Sequence, residues 1–363
     1  MLPPRTITEP GAVLGLLAEG EVFGRRGVLV HGRSLERSGV LRKILDNGHE
    51  SREAISWLFP GGEPTLGQLE SLLAVSREHH AEWIAGIGGG SVLDVAKACA
   101  GLLDAPLPPV AYHDGTTLEQ SCVPFIAVPT TAGTGSEATI VSVLTNEAKR
   151  IKKSIRHPSF MASLIILDTD LLASCPAKII AHSGMDAFTQ AVESFVSKDA
   201  TSFTEELSLK ALALIVSSLE AVFHGEKKDK AHDLLMGSYL AGIALNNARL
   251  GIVHGLAHPL GVGYHVPHGL ACAVCLPPVI EFNREVSGKK YERMSTAIGM
   301  DLLTRTRSFL DVLGIQSPFI GQPLKDKNRL IQEALSSGST AANPRHVTAT
   351  DVEYLLERIF QKD

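Results

Sequence analysis

The sequence predicts an α/β nucleotide-binding domain followed by an all-helical domain. In the first half, apolar β-type runs at residues 27–32, 82–90, 124–131 and 163–168 alternate with helical stretches. This alternation indicates parallel strands with crossover helices, as in a doubly wound sheet. From about residue 171, apolar residues recur at i, i+3, i+4 and i+7, which is typical of helices. We therefore expect an α/β domain over residues 1–170 and a helical domain over residues 171–363.

Composition and charge favour an enzyme that acts on small molecules. Of the 363 residues, 44% are hydrophobic and 20% are charged, which is typical of a globular protein. The formal net charge of −5 is small for this length, so nucleic acid is not expected as a partner. The N-terminus lacks a secretory pattern and no run of about 18 apolar residues occurs, so we expect a cytoplasmic protein without a membrane partner.

The cysteine pattern does not indicate a disulfide scaffold. Five cysteines, an odd number, are spread along a long chain, and we expect free thiols. Cys272 and Cys275 have C-x-x-C spacing, but apolar residues surround them and no second pair exists to complete a zinc knuckle. Core packing is therefore favoured over redox or metal chemistry for both residues.

A glycine-rich turn between a predicted strand and a predicted helix is the first candidate phosphate site. Glycine allows the backbone to approach an anion, and the amides at a helix N-terminus point towards it. The segment "GIGGGS" matches the G-x-G-x-x-G pattern only in part, so a plain tight turn is an equal alternative. The candidate residues are Gly88, Gly89, Gly90 and Ser91.

A second polar loop, "PTTAGTGSEAT", follows the next predicted strand. It presents the hydroxyl groups of Thr130, Thr131, Thr134 and Ser136 together with two glycines. Loops at the carboxyl ends of parallel strands meet at one edge of the sheet, where open α/β sheets bind nucleotides. The two loops together therefore favour a nucleotide.

A histidine cluster in the second half indicates metal or catalytic chemistry. His254, His258, His265 and His268 lie within fifteen residues, among prolines and glycines that argue against simple packing. An earlier predicted helix carries Asp186 and Gln190, one turn apart. If both face one side, two of the histidines would complete a four-ligand set.

Four motifs, in this order and spacing, resemble the iron-containing (group III) alcohol dehydrogenases. They are "GIGGGSVLDVAKA", "PTTAGTGSEAT", "GMDAFTQAVESFVS" and "HGLAHPLGVGYHVPHG", and the likeness covers nearly the whole chain. The family shares its fold with glycerol dehydrogenase and dehydroquinate synthase. The resemblance implies an active site between the two domains and a homodimer or larger homo-oligomer.

The resemblance also implies roles for individual residues. Its metal ligands fall on Asp186, Gln190, His254 and His268, and its cofactor loops on Gly89 to Asp94 and Thr130 to Gly133. Lys152 aligns with a lysine that contacts the cofactor, and His258 aligns with a histidine near the nicotinamide and substrate. His258 is therefore the candidate for proton relay.

Two departures from the family pattern affect the metal and the cofactor. The family usually has His where this chain has Gln190. An amide oxygen shifts the metal selectivity of the site from Zn²⁺ towards Fe²⁺ or Mn²⁺. The alternative is that this chain has lost the metal site. NAD-specific relatives tend to have Asp at the position of Gly32, which Arg33 and Ser34 follow. Without that carboxylate a 2′-phosphate is tolerated, so NADP(H) is favoured over NAD(H), unless Arg33 is only a surface residue.

The reaction implied is reversible hydride transfer between a nicotinamide cofactor and a primary alcohol or its aldehyde. A divalent ion, with Fe²⁺ favoured and Mn²⁺ or Zn²⁺ as alternatives, would polarise the substrate oxygen. One rival is a lyase or cyclase like dehydroquinate synthase, which uses NAD and a metal without net oxidation. Another is a nucleotide-binding relative that has lost its metal, which the retained histidines disfavour.

Overall fold

The computed structural model describes residues 1–47, 53–119, 123–149 and 151–361, with the backbone alone at residues 227–229. The chain divides into two compact units. The first contains Met1–Thr131 and Ser136–Cys175, and the second contains Ala132–Gly135 and Pro176–Asp363. The first is an α/β unit and the second is helical, which confirms the predicted fold class. The four residues Ala132–Gly135 join the second unit, which the sequence did not predict.

The first unit is built on a six-stranded parallel sheet. Its strand order is β1-β8-β5-β4-β2-β3, and β6 and β7 form a separate antiparallel hairpin. The strands are β1 Thr6–Ile7, β2 Arg26–His31, β3 Glu53–Leu58, β4 Trp83–Gly88, β5 Phe125–Pro129, β6 Val141–Asn146, β7 Ile151–Arg156 and β8 Leu164–Ile166. The four predicted runs correspond to β2, β4, β5 and β8, whereas the other strands lack a clear apolar run.

The central strands are apolar along their whole length because helices cover both faces of a parallel sheet. Every residue of β4 and β5 is buried. Trp83 at the start of β4 lies against Gly27 of β2, where an added Cβ would come within 2.1 Å of the indole ring. A glycine at this position therefore allows the largest side chain of the core to pack flat on the neighbouring strand.

Helices connect the strands of the first unit. Thr65 starts α4 with a capping box in which its hydroxyl accepts from the backbone N–H of Gln68 and the Gln68 side chain accepts from the backbone of Thr65. The helices are α1 Leu16–Gly20, α2 Arg33–Arg37, α3 Val40–Asp46, α4 Leu66–Glu78, α5 Gly90–Leu102, α6 Pro109–Asp114 and α7 Thr169–Leu172.

The second unit is a bundle of helices around a central one. This central helix, α8, packs against α9, α10 and α12. The helices are α8 Ala177–Val196, α9 Ser202–Phe223, α10 Lys227–Ala248, α11 Ile252–Tyr264, α12 His268–Ile298, α13 Leu302–Val312, α14 Lys327–Ser336, α15 Gly338–Ala341 and α16 Ala349–Phe360. The last helix, α16, has Thr348 as its N-cap. Across the described residues, none of the helices has the length and apolar character needed to cross a membrane.

Candidate metal centre and cofactor loops

Helix α8 carries three buried polar side chains along one face. Asp186, Gln190 and Glu193 follow each other at i, i+4 and i+7, and each is 3% exposed. Residues at this spacing form a single stripe on a helix. Polar groups buried to this degree require partners, so the stripe predicts a polar or ionic site inside the helical unit.

Two predicted histidine ligands lie close to Asp186, the first residue of this stripe. His254 lies in the first turn of α11, and His268 is the first residue of α12. The Nε2 atoms of His254 and His268 lie 3.4 and 3.8 Å from Oδ1 of Asp186. The fold therefore brings together side chains that are 82 residues apart in the chain, counting from Asp186 to His268.

Two buried oxygens on α8 accept no hydrogen bond from any residue that the structure describes. They are Oδ1 of Asp186 and Oε1 of Gln190. Nε2 of Gln190 donates to the backbone carbonyl of Thr134 at 3.2 Å, so the amide is oriented with its oxygen away from that contact. Unpartnered acceptors beside imidazole nitrogens are what a cation site needs, and these residues therefore fit a divalent ion.

Glu193, the third residue of the stripe, orients His254. Its Oε2 lies 2.6 Å from Nδ1 of His254, and its Oε1 accepts from the backbone N–H of Val253 at 2.7 Å. A carboxylate only accepts, so Nδ1 donates to Glu193, and Nε2 is the nitrogen that faces the cluster. Sequence reasoning missed Glu193, although its place at i+7 from Asp186 was a usable signal.

Cys272 also lies among the predicted ligands. Its Sγ is 3.7 Å from Nε2 of His254 and 3.5 Å from Nε2 of His268. The ligand atoms of Asp186, His254, His268 and Cys272 all lie within 4.8 Å of one another. The sequence assigned Cys272 to core packing. The structure does bury the thiol, but beside imidazole nitrogens.

The expectation of free thiols is confirmed for the cysteines that the structure describes. They are Cys99, Cys175, Cys272 and Cys275, and all four are buried. Cys122 lies outside the described residues.

The cluster perturbs the protonation of its own members. Burial opposes ionisation of Asp186, but His268 and His254 outweigh it and lower the pKa of this carboxyl. Burial opposes protonation of His254, but Cys272, Asp186 and Glu193 outweigh it and hold the pKa of His254 well above its usual value. Burial raises the pKa of the Cys272 thiol to about 12. A cation that binds here therefore competes with protons.

His258 lies beside the cluster. Its ring stacks on that of His268 with centroids 4.9 Å apart and an interplanar angle of 25°. The side chain is partly exposed, in contrast to the buried His254. His265, the remaining histidine of the motif, is an exposed residue with φ 55° at the end of α11 and is not part of the cluster.

The first glycine-rich turn lies next to Thr130 and Thr131 of the second loop, within the first unit. Gly88 ends β4, Gly89 is the N-cap of α5, and Gly90 and Ser91 are the first residues of that helix. The backbone N–H of Thr130 donates to the carbonyl of Gly88 at 3.0 Å. A Cβ at Gly89 would lie 3.4 Å from Oγ1 of Thr131. Thr134, in contrast, belongs to the second unit.

Asp94 and Lys97 on α5 hold the segment that follows the second loop. Oδ1 of Asp94 accepts from the hydroxyl of Ser136 at 2.6 Å, and Oδ2 accepts from the backbone N–H of Val143 at 3.0 Å. Lys97 is fully buried and its Nζ donates to the carbonyls of Ser136 and Thr139 at 2.6 and 2.9 Å. Both carboxylate oxygens of Asp94 thus have partners inside the unit. Sequence reasoning missed Lys97.

The other predicted cofactor residues occupy a turn and a hairpin. Gly32 has extended backbone angles (φ −89°, ψ 165°) between β2 and α2, and Arg33 and Ser34 after it are exposed. Lys152 lies on β7, where its Nζ is 2.6 Å from Oε2 of Glu63.

Comparison with known proteins agrees with this arrangement. The model of the iron-containing alcohol dehydrogenases matches residues 3–169, and the model of the C-terminal part of the Fe-containing alcohol dehydrogenase family matches residues 180–360. The chain belongs to the iron-containing alcohol dehydrogenase family. It is accordingly a metal-dependent alcohol dehydrogenase or aldehyde reductase.

Members of this family are similar to the chain along most of its length. The probable alcohol dehydrogenase EutG of Escherichia coli (strain K12) is 35% identical over 88% of this chain and 81% of its own length. Lactaldehyde reductase of the same organism is 31% identical over 94% of each chain. A crystal structure of 1,3-propanediol oxidoreductase superimposes with a TM-score of 0.93 at 29% identity, covering 99% of both chains. The recognised family is therefore confirmed.

Proposed function

We propose that the protein interconverts a primary alcohol and its aldehyde, with NADP(H) as hydride carrier and a divalent ion on the α8 stripe. The ion would be held by Asp186, His254 and His268, with the amide oxygen of Gln190 as fourth ligand. The observation that carries this proposal is the pair of buried oxygens, Oδ1 of Asp186 and Oε1 of Gln190, that accept no hydrogen bond. Both atoms gain a partner when a cation binds.

Each residue of the cluster has a separate task in this proposal. A bound ion supplies Lewis-acid polarisation of the carbon–oxygen bond of the substrate, with Fe²⁺ favoured over Mn²⁺ or Zn²⁺. Glu193 keeps the Nε2 lone pair of His254 turned towards the cluster. His258, partly exposed and stacked on His268, passes the substrate proton to solvent.

The cofactor would bind at the loops of the first unit. The backbone of Gly88 to Ser91 and the hydroxyls of Thr130 and Thr131 offer N–H and O–H donors to a pyrophosphate. Asp94 fixes the neighbouring segment through Ser136. Thr134 stays in the proposed cofactor set because its hydroxyl belongs to the second polar loop, and Lys152 stays because of the family resemblance.

The direct test measures metal content and activity together. Elemental analysis of the purified protein is paired with NADPH oxidation on short aldehydes, before and after addition of Fe²⁺, Mn²⁺ or Zn²⁺. We expect aldehyde-dependent consumption of one NADPH per aldehyde, restored by an added ion after chelation. Absence of bound metal and of rescue by any ion, with NADPH still bound, would refute the metal assignment. Turnover of a substrate without net NADPH consumption would instead support the lyase alternative.

The preference for NADP(H) rests on the turn after β2. Gly32 carries no carboxylate to repel a 2′-phosphate, and Arg33 and Ser34 are exposed beside it. The extended backbone of Gly32 accepts any residue, and an added Cβ would be no closer than 3.9 Å to Ser34 Oγ and Val92 Cγ2. Gly32 is therefore open to substitution.

The variant Gly32→Asp tests this preference. The new carboxylate should repel the 2′-phosphate and accept from the ribose hydroxyl of NAD(H). Charge-assisted hydrogen bonds of about 1.5–3 kcal/mol predict that the ratio of kcat/KM for NADPH over NADH falls about tenfold or more. Gly32→Ala is the matched control. An unchanged ratio in Gly32→Asp would place the 2′-position of the cofactor elsewhere.

The family resemblance alone supports a homodimer or larger assembly. Light scattering of the purified protein at several concentrations measures the mass directly, and a monomer at all of them would contradict the proposal.

A further inference from the structure

Cys272 shares a helix face with a proposed metal ligand. It lies one turn after His268 on α12, and residues at this spacing project to the same side. The side chain is fully buried, and Sγ lies 3.5 Å from Nε2 of His268 and 3.7 Å from Nε2 of His254. Both nitrogens are the atoms that would bind an ion.

The separations match those between ligands of one tetrahedral ion. Bonds of about 2.0–2.3 Å to nitrogen, oxygen and sulfur place neighbouring ligand atoms about 3.3–3.7 Å apart. Here the two nitrogen-to-oxygen separations, involving Asp186, are 3.4 and 3.8 Å. The two nitrogen-to-sulfur separations, involving Cys272, are 3.7 and 3.5 Å. These four separations are within a few tenths of an ångström of the tetrahedral values, and the other two are below 4.8 Å.

Close helix packing fixes the sulfur in this place. A Cβ added at Gly269 would lie 2.2 Å from the carbonyl oxygen of His182 and 3.4 Å from Cβ of Asp186, both on α8. The start of α12 is thus pressed against the helix that carries Asp186. Cys275, three residues after Cys272 and equally buried, is not in the group of four ligand atoms found among the described residues.

We infer that Cys272 is a further metal ligand, binding as a thiolate beside Asp186, His254 and His268 and in addition to the Gln190 amide oxygen. The inference rests on the proposed metal site. A sulfur–metal bond forms as the S–H bond breaks, and the proton passes to solvent. Two anionic ligands neutralise a divalent ion, whereas Asp186 alone leaves one positive charge.

A thiolate changes the expected choice of metal. Sulfur is a soft ligand that favours Zn²⁺ or Co²⁺, while the amide oxygen of Gln190 favours harder ions such as Mn²⁺. The sulfur therefore acts against the preference for harder ions that Gln190, in place of the family's usual His, would give the site. Removal of the sulfur should weaken Zn²⁺ binding more than Mn²⁺ binding.

The test is the absorption spectrum of the full-length protein loaded with Co²⁺. We expect a near-ultraviolet thiolate-to-cobalt charge-transfer band at one ion per chain. The band should vanish in Cys272→Ala and persist in Cys275→Ala, the matched control. In competition with a chromophoric chelator, Cys272→Ala should lose about tenfold or more in Zn²⁺ affinity, with a smaller loss for Mn²⁺. Circular dichroism melting of the metal-free variants checks that they fold.

The possible outcomes separate this inference from the proposed function. Co²⁺ that binds the unaltered protein, with visible d–d bands but no charge-transfer band, overturns the assignment of Cys272 and leaves the metal site intact. Failure of the unaltered protein to bind Co²⁺, Zn²⁺ or Mn²⁺ overturns both. A band that survives in Cys272→Ala and vanishes in Cys275→Ala moves the thiolate ligand to Cys275 and also refutes the inference. None of these readings requires catalytic turnover.

Discussion

Replacement of Glu193 by glutamine tests how the buried carboxylate controls the proposed metal site. In the structure its two oxygens accept from two N–H groups, Nδ1 of His254 at 2.6 Å and the backbone of Val253 at 2.7 Å. Glutamine has the same shape but only one accepting oxygen, and its NH₂ group donates. Whichever way the amide is turned, one donor therefore faces another donor inside the protein.

The free-energy cost of the substitution follows from this one contact between two donors. A buried donor left without an acceptor costs about 1–3 kcal/mol. The conflict disappears only if His254 moves its proton from Nδ1 to Nε2, and a protonated Nε2 does not bind an ion. The penalty therefore falls on the metal-bound state, and we expect the Kd for Zn²⁺ to rise about tenfold to hundredfold.

The assay is chelator competition with metal-free protein at pH 7.5. The control is Glu206→Gln on α9, whose side chain is 73% exposed and which should bind Zn²⁺ like the unaltered protein. Melting of the metal-free proteins separates a loss of affinity from a loss of folding. A Kd in Glu193→Gln within twofold of the unaltered protein would refute the idea that Glu193 orients His254.

Two further predictions concern Lys97 and His258. Lys97→Met removes the buried ammonium that donates to three backbone carbonyls, so we expect the free energy of unfolding in urea to fall by about 3–5 kcal/mol. The control is Lys43→Met at an exposed position, and a fall of less than about 1 kcal/mol in Lys97→Met would contradict the prediction. His258→Gln cannot exchange a proton, so kcat should fall about a hundredfold with Zn²⁺ affinity unchanged, whereas an unaltered kcat and pH profile would exclude the proton relay.

The fold was predictable because its signals are local. Apolar runs in β2, β4, β5 and β8 reflect strands buried on both faces, and the helical period after residue 171 reflects packed helices. The short β1 and the hairpin of β6 and β7 lack such runs, with exposed residues along most of β7. The placement of Ala132–Gly135 in the second unit depends on tertiary contacts that no local pattern encodes.

The site was predictable in part from residue type, and the family resemblance selected His254 and His268 among the four histidines. Histidines and an aspartate in motifs indicate a metal, and the structure brings Asp186, His254 and His268 together. Cys272 was assigned to the core because its sequence neighbours are apolar, and only the fold shows that its side chain faces the cluster. Glu193 was missed because a glutamate in a helix is ordinarily solvated, and its burial comes from the surrounding helices.

The buried oxygens on α8 also bear on the alternative of a relative that has lost its metal. An unpartnered buried polar atom costs about 1–3 kcal/mol, and Oδ1 of Asp186 and Oε1 of Gln190 both accept no hydrogen bond. In a protein without an ion, both atoms would lower the free energy of unfolding, and an apolar side chain at either position would remove that cost. The proposed cation would give both atoms a partner, while Glu193 accepts from Nδ1 of His254 without it. If the proposed ion binds there, it should stabilise the folded state, so metal loading should raise the melting temperature, and replacing Asp186 with Asn should abolish that rise.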